Sequence, residues 1–410
     1  MSTVMLNNYS FVKMRQPSEF NLSNMENNRP YLAFGTPDFT EHEIDAVARV
    51  MRTGWVGMGN ETLEFEKELA SYLGVKHVVS VNSCTSALFL SLLIGGVGEG
   101  DEVIVPSLTW CATANSVMYL GAKAVFCDVD IETMSVTAES ILAKVTPKTR
   151  AVIIVHYGGL ATDVVKLRQF LPESILIIED AAHAMGARYS GNDYVGSSGN
   201  LTCFSFYANK NLSTADGGAI ALNDDNVAEK LRRLRMSGMG SNAWSRYSSP
   251  SLQKTELLTE LGYKMNYTDL QAAIGRVQLS RLKEMTSHRH NLARYYKKCL
   301  DQAGIEVAFQ RDVFSDKHAV HLFVVRFCQK QFRLTRDELF KYLREANVGV
   351  SIHYLPLHIQ PLYSQMKESL PVTMRLSEEI MTLPMSARMT FEDIDYVVGT
   401  LDSILNRKNT

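Results

Sequence analysis

Residues 175–184 read Ile-Leu-Ile-Ile-Glu-Asp-Ala-Ala-His-Ala, and this stretch decides the fold. Four apolar residues in a row give way to two acids. Residues 150–155 (RAVIIV) have the same apolar character. A strand with one face in water alternates apolar and polar residues, whereas a near-continuous apolar run fits a strand covered on both faces. Two such runs imply a parallel sheet between helical layers. Working outward, further short strands are expected at 78–81, 102–105, 124–127, 203–206 and 219–222. Helical periodicity marks 41–51, 61–73, 85–93 and 112–120. Strands alternating with helices from about 75 to 225 make an α/β domain.

The rest of the chain has a different pattern. Residues 237–251 are rich in Ser and Gly and carry Trp244 and Arg246, so they read as a long loop. A helical stretch follows at 268–303, then a strand at 321–327 (HLFVVRF) and a helix at 336–345, the pattern of a smaller α+β unit. The expected organisation is a flexible N-terminal extension (1–30), a large α/β domain (31–280) and a small C-terminal α+β domain (281–410). Residues 7–28 are rich in Asn and Ser, which suits a loose extension.

Composition narrows the function. At 410 residues the chain is long for one simple core and suits two domains. Lys plus Arg (42) nearly balances Asp plus Glu (44), so no global basic field points to nucleic acid. The six cysteines form no CxxC pair and no zinc-finger spacing, which argues against a metal and for reduced thiols in the cytoplasm. Lys13 and Arg15 have no apolar run behind them, unlike a signal peptide, and no segment has the roughly 20 apolar residues of a membrane span.

Four local patterns stand at strand ends, and in an open parallel sheet ligands sit at the carboxyl ends of the strands. Residues 82–88 (NSCTSAL) put small polar residues between a strand and a helix start, where free N–H groups and the helix dipole favour a phosphate; plain capping by Ser83 or Thr85 is the blander reading. Residues 106–110 (PSLTW) place Trp110 where its ring can stack on a flat cofactor, or simply line a rim. Asp180 ends a buried strand, a costly position for a carboxylate without a partner. A protonated pyridine nitrogen would be such a partner. Residues 204–210 (FSFYANK), followed by Asp216-Gly217-Gly218, put Lys210 just beyond a buried strand. Desolvation there would lower its pKa and make its amine nucleophilic toward an aldehyde. Each pattern alone is weak. Taken in order they supply the contacts that a pyridoxal phosphate site requires.

These residues resemble the DegT/DnrJ/StrS-type aminotransferases, which mostly act on nucleotide-linked keto sugars. The resemblance runs from about Phe34 to Asp402. Besides the patterns above it includes Gly54-Trp55, the stretches 262–266 (GYKMN) and 268–273 (TDLQAA), 353–358 (HYLPLH), and Leu383-Pro384-Met385. It implies fold type I, the α/β fold of pyridoxal-phosphate-dependent transferases, in a homodimer with sites at the subunit interface. It implies catalytic roles for Lys210 (the Schiff-base lysine), Asp180 (partner of the ring nitrogen) and His183 (near the phenolic oxygen). Trp110 would cover the ring. Ser205 and the backbone at Cys84 and Thr85 would hold the phosphate. Asn266, or Lys264, would reach the cofactor of the partner subunit. Apart from the resemblance, Trp244 and Arg246 in the long loop offer a flat apolar face and a fork of donors that suit a sugar and a diphosphate, so they, with Lys264, are expected to meet substrate. Three departures stand out: Cys84 where the family usually has Gly, Ala215-Asp216 for Gly-Glu, and Ser237 where a His is frequent.

The implied reaction moves an amino group from L-glutamate to a keto sugar, foremost a nucleotide-linked 4-keto-deoxy sugar destined for surface polysaccharide or other amino-sugar products. Three alternatives remain at this point: a non-nucleotide acceptor such as a cyclitol or keto-acid sugar, a sugar dehydratase of the same fold, and a non-enzymatic module that merely binds the cofactor. Relatives of the dehydratase type typically replace the lysine or carry an iron–sulfur cluster.

Overall fold

The computed structural model describes residues 29–239, 258, 260–327, 334–366 and 368–406. Seven strands form one sheet: β1 (His77–Val81), β2 (Glu102–Pro106), β3 (Lys123–Cys127), β4 (Thr149–Val155), β5 (Leu176–Asp180), β6 (Leu201–Ser205) and β7 (Gly218–Leu222). Their spatial order is β1-β7-β6-β5-β4-β2-β3. All run parallel except β7, which is antiparallel to both its neighbours. The apolar runs explain this burial. Val79, Val81, Val103, Val105 and Ile153 belong to one core, while Val78, Ile104, Val152 and Ile154 belong to the cores of the opposite face. Alternate residues point to opposite faces of a strand, so both faces are apolar and both are covered.

The reversal of β7 is a refinement of the parallel-sheet expectation. A parallel return needs a crossover of a dozen or more residues, usually a helix. The connection at 206–217 contains no helix, and it closes on itself through Phe206 N–H donating to Gly217 O (2.9 Å) and Thr214 N–H to Phe206 O (2.9 Å). The chain therefore returns to the edge it left. Gly218 is the register partner of both Ser205 and Val81, and Asp180 is that of Val155. One sheet edge thus gathers the ends of β1, β4, β5 and β6, and the 206–217 loop that carries Lys210.

A second sheet of three antiparallel strands, in the order β10 (Ile380–Leu383), β9 (Phe323–Arg326), β8 (Ala308–Phe309), forms the smaller layer. The 34-residue helix Asp269–Gln302 links the two sheets. It begins with a capping box in which Thr268 receives Gln271 N–H and the Gln271 side chain receives the N–H of Thr268. Ala272, Leu282 and Met285 pack under the large sheet; Leu292, Tyr296 and Leu300 pack under the small one. It runs unbroken through residue 280. The sequence reading has no counterpart for the helices Val164–Phe170, Asp225–Leu234, Pro371–Glu379 and Phe391–Asn406, nor for the strands Ala308–Phe309 and Ile380–Leu383.

Candidate active site

A cavity of about 530 Å³ opens at the gathered sheet edge. Seven residues singled out in the sequence line it: Cys84, Thr85, Trp110, Asp180, His183, Ser205 and Lys210. Asn266 and Lys264 do not. Asn266 donates from Nδ2 to Tyr267 O (3.1 Å), and Lys264 is exposed beside Met236. Trp244 and Arg246 lie outside the described residues.

The wall nearest β1 is the start of the helix Cys84–Ile94. Ser83 is its N-cap, and the Ser83 hydroxyl accepts Ser86 N–H at 3.1 Å. Cys84 and Thr85 are the first two helical residues, whose N–H groups have no partner inside a helix. Gly218 lets the backbone close here. A Cβ on it would lie 2.6 Å from Cys84 N and 2.7 Å from Phe204 O. The geometry suits an anion such as a phosphate.

The two adjacent acids of β5 have opposite surroundings. Glu179 is fully buried and saturated with donors: His156 Nε2 (2.8 Å), Tyr189 OH (2.5 Å), Asn200 Nδ2 (2.9 Å) and the Ser198 hydroxyl. His156 Nδ1 accepts Thr162 N–H (3.0 Å), so the imidazole proton sits on Nε2 and faces Glu179. Burial opposes ionisation of Glu179, but these donors outweigh it and hold its pKa below the ordinary carboxylate value. This acid is structural. Asp180, only 5% exposed, receives the Thr113 hydroxyl (2.8 Å) and Ala182 N–H (3.2 Å), with the Cys84 thiol at 4.0 Å. Among the described residues it has no salt bridge. Burial raises its pKa, against the lowering effect of Thr113, Ala182 and Lys210. A buried carboxylate facing a cavity without a paired cation is suited to a cationic N–H on a bound group.

Lys210 stands across the cavity, partly buried, its N–H bonded to Tyr207 O in a tight turn. Burial lowers its pKa to about 8, although Cys84 and Asp180 favour its charged form. Roughly a tenth of the amine is then neutral at pH 7, and half at the pKa itself. His183 Nδ1 accepts Gly158 N–H (3.3 Å), so Nε2 carries the proton and lies 3.0 Å from Tyr354 OH. Burial, then Lys210, His353 and His318, push His183 well below its usual pKa, leaving a neutral imidazole. The Trp110 ring, 60% exposed, sits at the mouth 5.8 Å from Tyr354.

Sequence reasoning missed several groups around this cavity. Thr113 holds Asp180, Tyr354 holds His183, and His321 Nε2 lies 3.4 Å from Lys210 Nζ. The stretch 353–358 carried Tyr354 as part of the resemblance, without a role. The sequence pattern expects a strand from His321, whereas β9 begins at Phe323. The departures are also visible: Ala215 adopts φ 68°, a left-handed conformation favoured by glycine, Asp216 lines the cavity, and Ser237 has φ 61°.

The chain matches the model of the DegT/DnrJ/EryC1/StrS aminotransferase family over residues 37–402. It belongs to that family. As a member it is a pyridoxal-phosphate (PLP)-dependent aminotransferase of fold type I. It is 39% identical over 382 residues to the spore coat polysaccharide biosynthesis protein SpsC of Bacillus subtilis (strain 168), covering 92% of this chain and 97% of SpsC. The aminotransferase TlmJ from Streptoalloteichus hindustanus is 33% identical with a TM-score of 0.83, covering 92% of this chain and all of TlmJ (100%). Spr1654 from Streptococcus pneumoniae, solved in a PLP form and a PMP form, is 27% identical in the former with a TM-score of 0.82, covering 92% and 99%. The buried, unpaired Asp180, the cradle at Gly218 and the depressed Lys210 fit this family's cofactor.

Proposed function

We propose that this aminotransferase moves an amino group from L-glutamate to a nucleotide-linked 4-keto-deoxy sugar, within the making of a surface polysaccharide or another amino-sugar product. The observation that carries the site reading is that Asp180 and Lys210 line one cavity: a buried acid with no salt bridge among the described residues, and an amine whose pKa burial lowers to about 8. The similarity to SpsC, a spore coat polysaccharide biosynthesis protein by name, supports the sugar class.

Bound PLP would supply an aldehyde for the amino group and a ring that withdraws electrons from the reacting carbon. Ser205 and the backbone N–H groups of Cys84 and Thr85 would hold the phosphate. Asp180 would set a negative charge against the ring N–H. His183, kept neutral by burial, would meet the cofactor's phenolic oxygen, and Trp110 would screen its ring from water. Lys210 would hold the aldehyde in the resting enzyme, and its neutral Nζ, when free, would carry a proton from the substrate carbon to the cofactor carbon. Glutamate would give up its amino group and leave as 2-oxoglutarate, and the same residues would serve the reverse transfer to the keto sugar.

The enzyme works as a homodimer in the cytoplasm. Asn266, or Lys264, reaches the partner subunit's cofactor, which accounts for their position off this subunit's own cavity. Trp244 and Arg246 meet the sugar or its diphosphate. The lobes divide at about residue 280, after an N-terminal extension of 1–30. Among the described residues no helix is long and apolar enough to cross a membrane, and no group of three or more His, Cys, Asp or Glu side chains is placed to hold a metal. A screen of purified enzyme with glutamate, against nucleotide-linked keto sugars, cyclitol ketones and keto-acid sugars, tests the reading by mass spectrometry. Amination of a nucleotide sugar at the highest kcat/KM supports it. Preference for a non-nucleotide acceptor overturns the substrate class, and loss of water without amination overturns the reaction type.

A further inference from the structure

The contact between Lys210 and His321 has a direction that neighbouring backbone atoms fix. Asn211 Nδ2 donates to the carbonyl of Ala319 at 2.7 Å. A carbonyl oxygen only accepts, so the amide nitrogen of Asn211 must face Ala319, and its oxygen must face the other way. That oxygen lies 3.3 Å from His321 Nδ1. It too only accepts, so Nδ1 carries a proton. Ala319 is itself anchored, its N–H bonded to Gly159 O at 2.9 Å. Both Asn211 and His321 are 5% exposed. The charged and titratable groups facing His321 are Lys210, His183, Arg289 and His353. Burial first, then each of these, pushes His321 well below its usual pKa. A neutral imidazole protonated at Nδ1 has a lone pair at Nε2, the atom 3.4 Å from Lys210 Nζ.

We propose that Asn211 and the Ala319 carbonyl lock His321 into the tautomer that only accepts from Lys210, making His321 a positioning residue of the transamination site. The alternative tautomer would donate its Nε2 proton into the lone pair of the neutral amine. That lone pair is what attacks a carbonyl or removes a proton, so the wrong tautomer would silence the nucleophile it touches. In the locked tautomer one N–H of Lys210 is committed to His321, and the lone pair lies on the side away from the ring. Arg289 supports the arrangement: its guanidinium donates to Val320 O (3.3 Å) and Met385 O (3.2 Å), pinning the residue next to His321. The inference rests on the reading that Lys210 is the cofactor-binding lysine.

The test uses the full chain with histidine labelled by nitrogen-15. The signals missing from His321→Gln identify His321, and their shifts report its tautomer. A proton on Nδ1 with no titration between pH 6 and 9 is expected; a proton on Nε2 overturns the proposal. Protein stripped of PLP is then mixed with PLP, and capture is followed by absorbance against pH. His321→Leu should capture about tenfold more slowly, the worth of one polar contact, while His321→Gln, whose amide oxygen can accept from Lys210, should stay within about threefold of the parent. Equal slowing of both variants, or none in either, overturns the positioning role. Borohydride fixation of PLP on Lys210 in the parent protein is read separately, so failure of the lysine assignment is distinguishable from failure of the lock.

Discussion

Replacing Thr113 by Val tests how Asp180 keeps its charge. The Thr113 hydroxyl donates to Asp180 Oδ2 at 2.8 Å and lies 2.9 Å from the Thr109 hydroxyl. Valine keeps the shape and removes the donor. Asp180 is then left with Ala182 N–H at 3.2 Å and a thiol at 4.0 Å. A hydrogen bond to a charged group contributes about 1.5–3 kcal/mol, of which a rearranged neighbour can recover part. One pKa unit corresponds to 1.36 kcal/mol, so the Asp180 pKa should rise by about one unit. The sign follows from burial. The pKa is already raised in the parent, and Thr113 is the largest of the effects that lower it. The acid must be ionised to hold a cationic ring N–H, so affinity for PLP is lost as pH falls through that pKa. The acidic limb of the binding profile should therefore move to higher pH by about one unit, while Thr113→Ser restores it. The assay is PLP binding to stripped protein, followed by absorbance across the pH range. An unmoved limb in Thr113→Val, with the fold intact by circular dichroism, would refute the reasoning that Asp180 is the anionic partner.

Two further outcomes follow from the same arrangement. Asp180→Asn should lower kcat by about 100-fold or more, because a charge aimed at a reacting centre is worth a few kcal/mol; near-normal turnover would put the ring nitrogen elsewhere. Mixed subunits of Lys210→Ala and Asn266→Ala should recover activity that neither parent has, since one hybrid site escapes both defects in a shared-site dimer; no recovery after confirmed subunit exchange would count against Asn266 crossing the interface.

Parts of this site were legible in the sequence because their signals are local. The apolar run of β5 ends at Asp180, and β6 ends at Ser205, five residues ahead of Lys210. Strand periodicity and the abrupt change of polarity were enough to bring these residues to one edge. The groups that tune them were not legible. Thr113 is 67 residues from Asp180, His321 is 111 from Lys210, and Tyr354 is 171 from His183. No spacing rule joins residues so far apart; only the strand order and the packing of the small sheet do. The reversal of β7 was missed because an apolar pentapeptide reads alike in either direction. The strand Ile380–Leu383 was missed because it abuts the helix Pro371–Glu379 with no turn residue between them.

The central claim is that Lys210 is the residue that joins the cofactor. Borohydride reduction of the PLP-loaded enzyme, followed by peptide mass spectrometry, tests it most directly. The account predicts a yellow protein in which reduction fixes one PLP per chain on the peptide containing Lys210, with Lys210→Ala giving no adduct there. An adduct on another lysine at full occupancy, or an unchanged adduct yield in Lys210→Ala, would contradict it.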